Sequence, residues 1–305
     1  MKRLTSFLCA VKEKKIVSII AITALCIGKI NSQTPTDLSL SGTQTESEAI
    51  MKDANISTLT LMTYNVWHRN FQHKDSIYRY AEVISYVNPD AVALQELIDK
   101  ENFNALKTQT GMNGEMLVTH RKDQGTGRKE NGIGILWNPA FGTPKINSKK
   151  LRIYGEQVAY MMAEFDDFCF IATHYPVNVR NVERKRRQTT KSILNNKVVK
   201  NCQNLGKPIY IGGDFNEAPP PIIENGAIQF FIDAGFEVLN DVVKYSYTYP
   251  TPIKAEAPHS LVDMILEYNT NSNRQLIKGG WTDFPSEAHK IISDHYPYYV
   301  KIKIK

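Results

Sequence analysis

Between Thr58 and Lys305 short apolar runs alternate with longer amphipathic ones, and the apolar runs repeatedly close on a side chain able to do chemistry. Leu61-Met62-Thr63-Tyr64 leads to Asn65, and Ala91-Val92-Ala93-Leu94-Gln95 leads to Glu96. Phe170-Ile171-Ala172-Thr173 leads to His174, and Ile209-Tyr210-Ile211-Gly212-Gly213 leads to Asp214, with Asn216 two residues on. Leu261-Val262 leads to Asp263, while Ser293-Asp294-His295 precedes the last apolar run. Short apolar runs bounded by turn residues suit buried strands. A buried strand delivers the polar residue that follows it to one rim of a sheet, where loops build sites. Strands are predicted at residues 58–65, 91–94, 115–119, 132–137, 158–165, 169–173, 208–212, 262–268 and 298–305. Helices are predicted at 75–87, where Ile77, Ala81, Ile84 and Val87 recur at helical spacing before Asn88-Pro89, and at 102–110, 181–202 and 223–234. No break divides residues 58–305 into two cores, so the reading is an α/β sandwich with sheets inside and helices outside.

The first 57 residues read differently. Basic Lys12, Lys14 and Lys15 precede an apolar run at 16–27, which is shorter than the roughly 20 residues a membrane span needs and suits a secretory signal. Residues 1–32 are therefore read as a signal peptide, with an uncleaved anchor or a lipoprotein through Cys26 as alternatives. Residues 33–57, polar and without apolar periodicity, are read as a linker. The expected location is outside the cytoplasm, periplasmic or secreted, with no stable membrane insertion once the leader is cut. The formal charge of +6 is concentrated in the leader: residues 33–305 hold 31 basic and 30 acidic side chains. A strong nucleic-acid binder carries its basic surplus in the folded domain, so the overall charge argues little for one. Of four cysteines, Cys169 and Cys202 lie beyond the leader and are read as two free thiols, although export permits a disulfide.

The polar positions suit phosphoester chemistry. A hard cation such as Mg²⁺ or Mn²⁺ takes oxygen ligands, one or two of them carboxylates. It would polarise a phosphoryl oxygen while an Asp or His aligns and deprotonates water. Amides such as Asn65 and Asn216 hold oxygens without adding charge that repels phosphate. No Cys/His cluster at zinc-ligand spacing is present in the sequence. Each position alone has a structural explanation. Glu96 could cap a helix, His174 could be packed, Gly212-Gly213-Asp214 could be a tight turn, and Asp294-His295 could cap a strand. Asp263 is harder to dismiss, because a buried carboxylate is costly unless paired. The structural explanation has to hold at all these positions together.

Taken in order, Tyr64-Asn65-Val66-Trp67, Asn88-Pro89-Asp90 with Leu94-Gln95-Glu96, Thr173-His174, Gly213-Asp214-Phe215-Asn216, Val262-Asp263 and Ser293-Asp294-His295-Tyr296-Pro297 resemble the motifs of the endonuclease/exonuclease/phosphatase superfamily, the deoxyribonuclease I-like group. Thr248-Tyr249-Pro250 also matches its usual lead-in to the penultimate motif. The resemblance runs from about Thr58 to Lys305. It implies a four-layered α/β/β/α sandwich and a divalent-metal-dependent phosphoester hydrolase using Mg²⁺ or Mn²⁺. It further implies that Glu96, with Asn65 and Asp294, holds the metal. Asp214 would orient or deprotonate water, Asn216 would hold the phosphate, and His295 would bind phosphate or act as the acid–base group. Asp263 would orient His295, and His174 completes the catalytic set as in the histidine-bearing branch. Trp67 stands where abasic-site nucleases carry an acid, which argues against that activity. The expected partner is a phosphoester substrate, small or lipid-linked, met by a monomer. The alternative is a secreted DNA or RNA endonuclease, suggested by Arg180, by the run Arg184-Lys185-Arg186-Arg187 and by a basic loop holding Arg121, Lys122, Arg128 and Lys129. A sphingomyelinase is disfavoured because no exposed apolar hairpin is evident, and a non-catalytic binding protein because every expected position is filled.

Overall fold

The computed structural model describes residues 57–119, 131–153, 156–177, 180–220, 223, 225–241, 248–249, 259–268, 274–281 and 292–304. The leader, the linker before residue 57 and the basic loop at 120–130 lie outside these residues.

Alternation within β1 (Ser57–Asn65) sets the layering. Leu59 and Leu61 point one way, Met62 and Tyr64 the other, and each set joins a different buried cluster. The same split occurs in β2 (Ala91–Ile98), with Ala91 and Ala93 inward and Val92 and Leu94 outward. These strands lie at the centre of a six-stranded mixed sheet completed by β3 (Asn113–Thr119), β4 (Asn131–Trp137), β11 (Arg274–Trp281) and β12 (Tyr298–Ile304). Its order is β11-β12-β1-β2-β4-β3. A second sheet has β5 (Lys145–Ile153), β6 (Glu156–Glu164), β7 (Cys169–His174), β8 (Ile209–Asp214), β9 (Glu237–Val238) and β10 (Asp263–Tyr268) in the order β5-β6-β7-β8-β10-β9.

One apolar cluster fills the space between the sheets, where Leu61, Ala93 and Ile135 face Met161, Ala172 and Ile265. The outer face of the first sheet buries Val92 and Leu94 beneath α2 (Lys74–Val87) and α3 (Lys100–Thr110), through Ile77, Tyr80, Ile84, Phe103 and Leu106. The outer face of the second buries Tyr160, Ile171 and Ile211 beneath α4 (Val182–Leu194), α5 (Lys197–Asn204) and α6 (Ala227–Asp233), through Ile193, Val199 and Phe231. A short α1 (His68–Phe71) follows β1. This is the expected four-layered α/β/β/α sandwich. Each fully buried Leu, Ile or Phe contributes about 1.5–3 kcal/mol relative to exposure, so the three clusters hold the layers in place.

Several expectations change. Residues 212–213 are not a tight turn; they continue β8 as strand. A Cβ on Gly213 would lie 2.6 Å from the Thr173 carbonyl oxygen, and one on Gly212 3.0 Å from the Ala93 methyl of the facing sheet. Glycine is needed here for close approach. The helix predicted across 181–202 is two helices, because Asn196 turns extended and its side chain caps α5 through the Val198 amide at 2.8 Å. The edge strands β5 and β11 are not predicted from the sequence, since β5 is exposed over most of its length and has no alternation to read. Cys169 of β7 and Cys202 of α5 are joined as a disulfide rather than free, because α5 packs on the outer face of the second sheet over β8, beside β7. The basic run Arg184-Lys185-Arg186-Arg187 is partly taken into the structure: Lys185 and Arg186 are buried, and Arg186 bonds Glu183 and the Pro176 carbonyl. Among the described residues no helix is long and apolar enough to cross a membrane.

Candidate active site

Register alone brings three of the polar residues together. His174, Asp214 and Asp263 are consecutive pairing partners across β7, β8 and β10, so they stand side by side on one face at the end of the second sheet. That face is the inner one, because Ala172 and Ile265 two residues away line the inter-sheet core. Asn65 ends β1 on the inner face of the opposite sheet and meets them there. Its amide nitrogen donates to Asp214 Oδ2 at 3.0 Å and lies 3.3 Å from Glu96 Oε1 and 3.4 Å from His295 Nε2. The Asn65 side-chain oxygen accepts from the Trp67 amide at 3.0 Å, which fixes the amide plane.

Glu96 reaches the site by a different route. Regular alternation after Leu94 and Gln95 would send it outward to the helices. Instead the pairing of β2 with β4 slips between Leu94 and Leu97, and Glu96 sits in the irregularity with φ 58°. A bulge of this kind re-aims one side chain at a local backbone cost, and such costs concentrate at functional positions. The carboxylate is held by His68, whose Nδ1 contacts Glu96 Oε2 and whose amide donates to the same oxygen at 3.3 Å. Burial works against a charged Glu96, but the His68 hydrogen bond and the fields of His174, His68 and His295 outweigh it, leaving its pKa well below the usual carboxylate range.

The final motif arrives on an anchored segment. Asn70 and Tyr80 donate to the Ile292 carbonyl at 2.7 and 3.0 Å, and Ser293 Oγ donates to the Asn65 carbonyl at 2.6 Å. His295 is thereby set with Nδ1 2.8 Å from Asp263 Oδ2 and Nε2 3.8 Å from Asp214 Oδ2. Asp263 takes up Nδ1, so Nε2 is the nitrogen that faces the site. Burial opposes charge on His295, yet Asp263, Asp214 and Asp294 around it push its pKa up to about 10. Burial likewise opposes charge on Asp214, but His295, His174 at 3.5 Å and Asn65 hold it in the ionised form.

Asn216 also lies here, with φ 49°, a conformation asparagine tolerates better than most residues. Its amide N–H donates to Asp214 Oδ1 at 2.8 Å and its side chain donates to the Tyr175 carbonyl at 2.9 Å. Asp294 is buried beside His295. The sequence-derived residues Asn65, Glu96, His174, Asp214, Asn216, Asp263, Asp294 and His295 therefore gather at one rim. Arg180 does not share these contacts; it is exposed in the turn before α4.

Three further residues join the site without a role that the sequence reveals. His68 follows a motif that is legible only as far as Trp67. Tyr249 packs its ring 4.8 Å from that of His295, and Thr248 Oγ1 accepts from the Asp263 amide at 2.9 Å. In the sequence the Thr248-Tyr249 pair marks only the approach to the penultimate motif.

The donor set fits a divalent cation. Glu96, Asp214, Asp263 and Asp294 crowd four carboxylates into a rim with His68, His174 and His295. An excess of buried oxygen donors of this kind suits a hard ion. Two donor groups present themselves: Glu96 on the first sheet, where Asn65 turns its amide nitrogen rather than its oxygen to the site and so departs from the expected ligand role, and Asp214, Asp263 and His295, whose ligand atoms lie within 4.8 Å of one another. In the second group Nδ1 of His295 and Oδ1 of Asp214 are already taken by Asp263 and the Asn216 amide. That trio is better arranged to hold and move protons than to bind metal.

Residues 62–295 match the model of the Endonuclease/Exonuclease/phosphatase family, and the chain belongs to that family of metal-dependent phosphoesterases. Its fold is similar to that of the endonuclease/exonuclease/phosphatase from Bacteroides vulgatus, with a TM-score of 0.60 at 17% identity over 82% of this chain and 100% of that one. It is similar also to the human Nocturnin catalytic domain with bound sulfate anion, with a TM-score of 0.59 at 18% identity over 81% and 94% of the two chains. A truncated Caenorhabditis elegans TDP2 gives 0.59 at 15% identity over 81% and 97%. By sequence, no curated protein matches the chain. At these identities the structural neighbours establish the fold, and the activity has to be argued from the site.

Proposed function

We propose that this chain is a divalent-metal-dependent phosphoester hydrolase of the phosphodiesterase or phosphatase type. The observation that carries the reading is the row His174, Asp214 and Asp263, with Nε2 of His295 turned over it and the Asn65–Glu96 pair opposite. Mg²⁺ or Mn²⁺, held by Glu96 with Asp294, and by Asn65 only if its amide turns its oxygen inward, would supply positive charge to the phosphoryl oxygens. Asp214, kept ionised by its neighbours, receives the proton of the attacking water as that oxygen bonds to phosphorus. Protonated His295, oriented by Asp263, neutralises the developing charge and gives a proton to the leaving oxygen as the ester P–O bond breaks. His174 and Asn216 hold phosphate oxygens at the rim, and Arg180 meets the substrate from outside it. We take the enzyme to act outside the cytoplasm, on the strength of the leader read at 1–32.

The test is hydrolysis of bis(p-nitrophenyl) phosphate, p-nitrophenyl phosphate, plasmid DNA and sphingomyelin by the purified protein with Mg²⁺, Mn²⁺ or EDTA. Metal-dependent turnover of at least one substrate, lost in Asp214→Asn and His295→Ala, is expected. Turnover that survives both substitutions would overturn the mechanism.

A further inference from the structure

The row that organises the active site does not stop at His174. Across β6 and β5 the register continues from His174 to Ala159 and from Ala159 to Lys150, so Lys150 shares both the level and the face of the site residues. Arg152, two positions on, lies on the same face, opposite Gln157. Lys150, Arg152 and Gln157 are all exposed. Among the described residues neither cation has a hydrogen-bond or ion-pair partner. Ala159, between Lys150 and His174 in this row, is buried in the inter-sheet core, so the exposed way from the site to the two cations runs along the rim past Gln157.

We propose that Lys150 and Arg152 form an anion subsite that binds a second phosphate of an extended substrate, specifically a single-stranded oligonucleotide whose neighbouring phosphate lies in the active site. This rests on the phosphoesterase reading and narrows its substrate. Two strand spacings separate Lys150 from His174, about 10 Å at about 4.8 Å each. With the reach of the lysine side chain, that distance admits the adjacent phosphate of an extended single strand, whose phosphates lie farther apart than in a stacked duplex. A small diester cannot span it. Lysines on an edge strand also discourage edge-to-edge pairing, and that explanation covers Lys145 and Lys149 equally well. Those two, however, lie on the opposite face of β5, which supports α4 through Leu151. The two faces of one strand therefore make different predictions.

The experiment compares the native protein with Lys150→Glu/Arg152→Glu and with Lys145→Glu/Lys149→Glu. Substrates are thymidine oligonucleotides of two and eight residues and bis(p-nitrophenyl) phosphate, with thermal melts as a folding check. The octamer should show a lower KM than the dimer in the native protein. The first variant should raise the octamer KM about tenfold or more and leave turnover of the chromogenic diester unchanged. It should also flatten the salt dependence of the octamer KM, by about 0.7 in log–log slope for each phosphate that is no longer neutralised. The second variant should behave as native. Equal effects of the two variants, an unchanged octamer KM, or a parallel loss on the small diester would overturn the subsite. So would binding to phosphatidylserine vesicles that depends on Lys150 and Arg152 without matching octamer binding. Octamer binding in EDTA, read by fluorescence anisotropy, tests the subsite even if no diester is hydrolysed, so failure here is distinguishable from failure of the phosphoesterase reading.

Discussion

The two sheets deliver their share of the site by different means. The second sheet needs only register: His174, Asp214 and Asp263 are neighbours in an unbroken ladder, and regular strands place them. The first sheet reaches the same point by breaking its regularity, with Glu96 at φ 58° in a slipped pairing and with His68 gripping its carboxylate. The difference suggests a division of labour. A rigid ladder suits groups that must exchange protons over fixed distances, whereas a re-aimed and supported carboxylate suits a metal ligand.

The largest expected effect falls on the ladder. Asp214→Asn should lower kcat by about 10³-fold while leaving metal binding and the melting temperature close to native. A loss of under tenfold would mean that the ladder does not carry the proton chemistry. On the first sheet His68→Ala should weaken Mn²⁺ binding about 10- to 100-fold, as loss of a ligand's supporting hydrogen bond does, and calorimetric titration would measure it. Unchanged affinity would make His68 a packing residue.

How much of this is legible in the sequence follows the same division. Strands that end in Asn65, His174 and Asp214, and the one that begins at Asp263, are visible in the chain because apolar runs adjoin them, and the two-sheet architecture follows from the same runs. Glu96 is visible for the same reason, but its bulge is not, since nothing in Leu94-Gln95-Glu96-Leu97 marks the slip. His68 has no signal beyond its nearness to Asn65; its role depends on a tertiary contact with a residue 28 positions away. The Cys169–Cys202 bond and the burial of Arg186 escape a sequence reading because both depend on how α4 and α5 settle on the second sheet. Exposed β5 carries no apolar pattern, and its basic residues acquire meaning only once register sets Lys150 beside Ala159.

Two smaller effects test the scaffold beneath the ladder. Gly213→Ala would drive a methyl against the Thr173 backbone, and overpacking of this kind should cost about 1–3 kcal/mol in denaturant unfolding. A neutral result would show that β7 and β8 can separate. The second effect concerns pH. With its pKa raised from 6.5 to about 10, folded metal-free His295 keeps a proton that the unfolded chain releases near pH 6.5. This stabilisation is complete below about pH 6.5 and disappears as pH rises through about 10. In EDTA the gap in melting temperature between native protein and His295→Gln should therefore narrow from about pH 6 to about pH 10. A constant gap would remove His295 from the charge network.

The most direct test of the division between the sheets is Mn²⁺ binding, followed by electron paramagnetic resonance, in Glu96→Gln and in Asp214→Asn. The account predicts that Glu96→Gln loses tight Mn²⁺ binding, whereas Asp214→Asn keeps it and loses turnover. If Asp214→Asn loses the ion and Glu96→Gln retains it, the metal belongs to the ladder and the roles assigned to the two sheets are reversed.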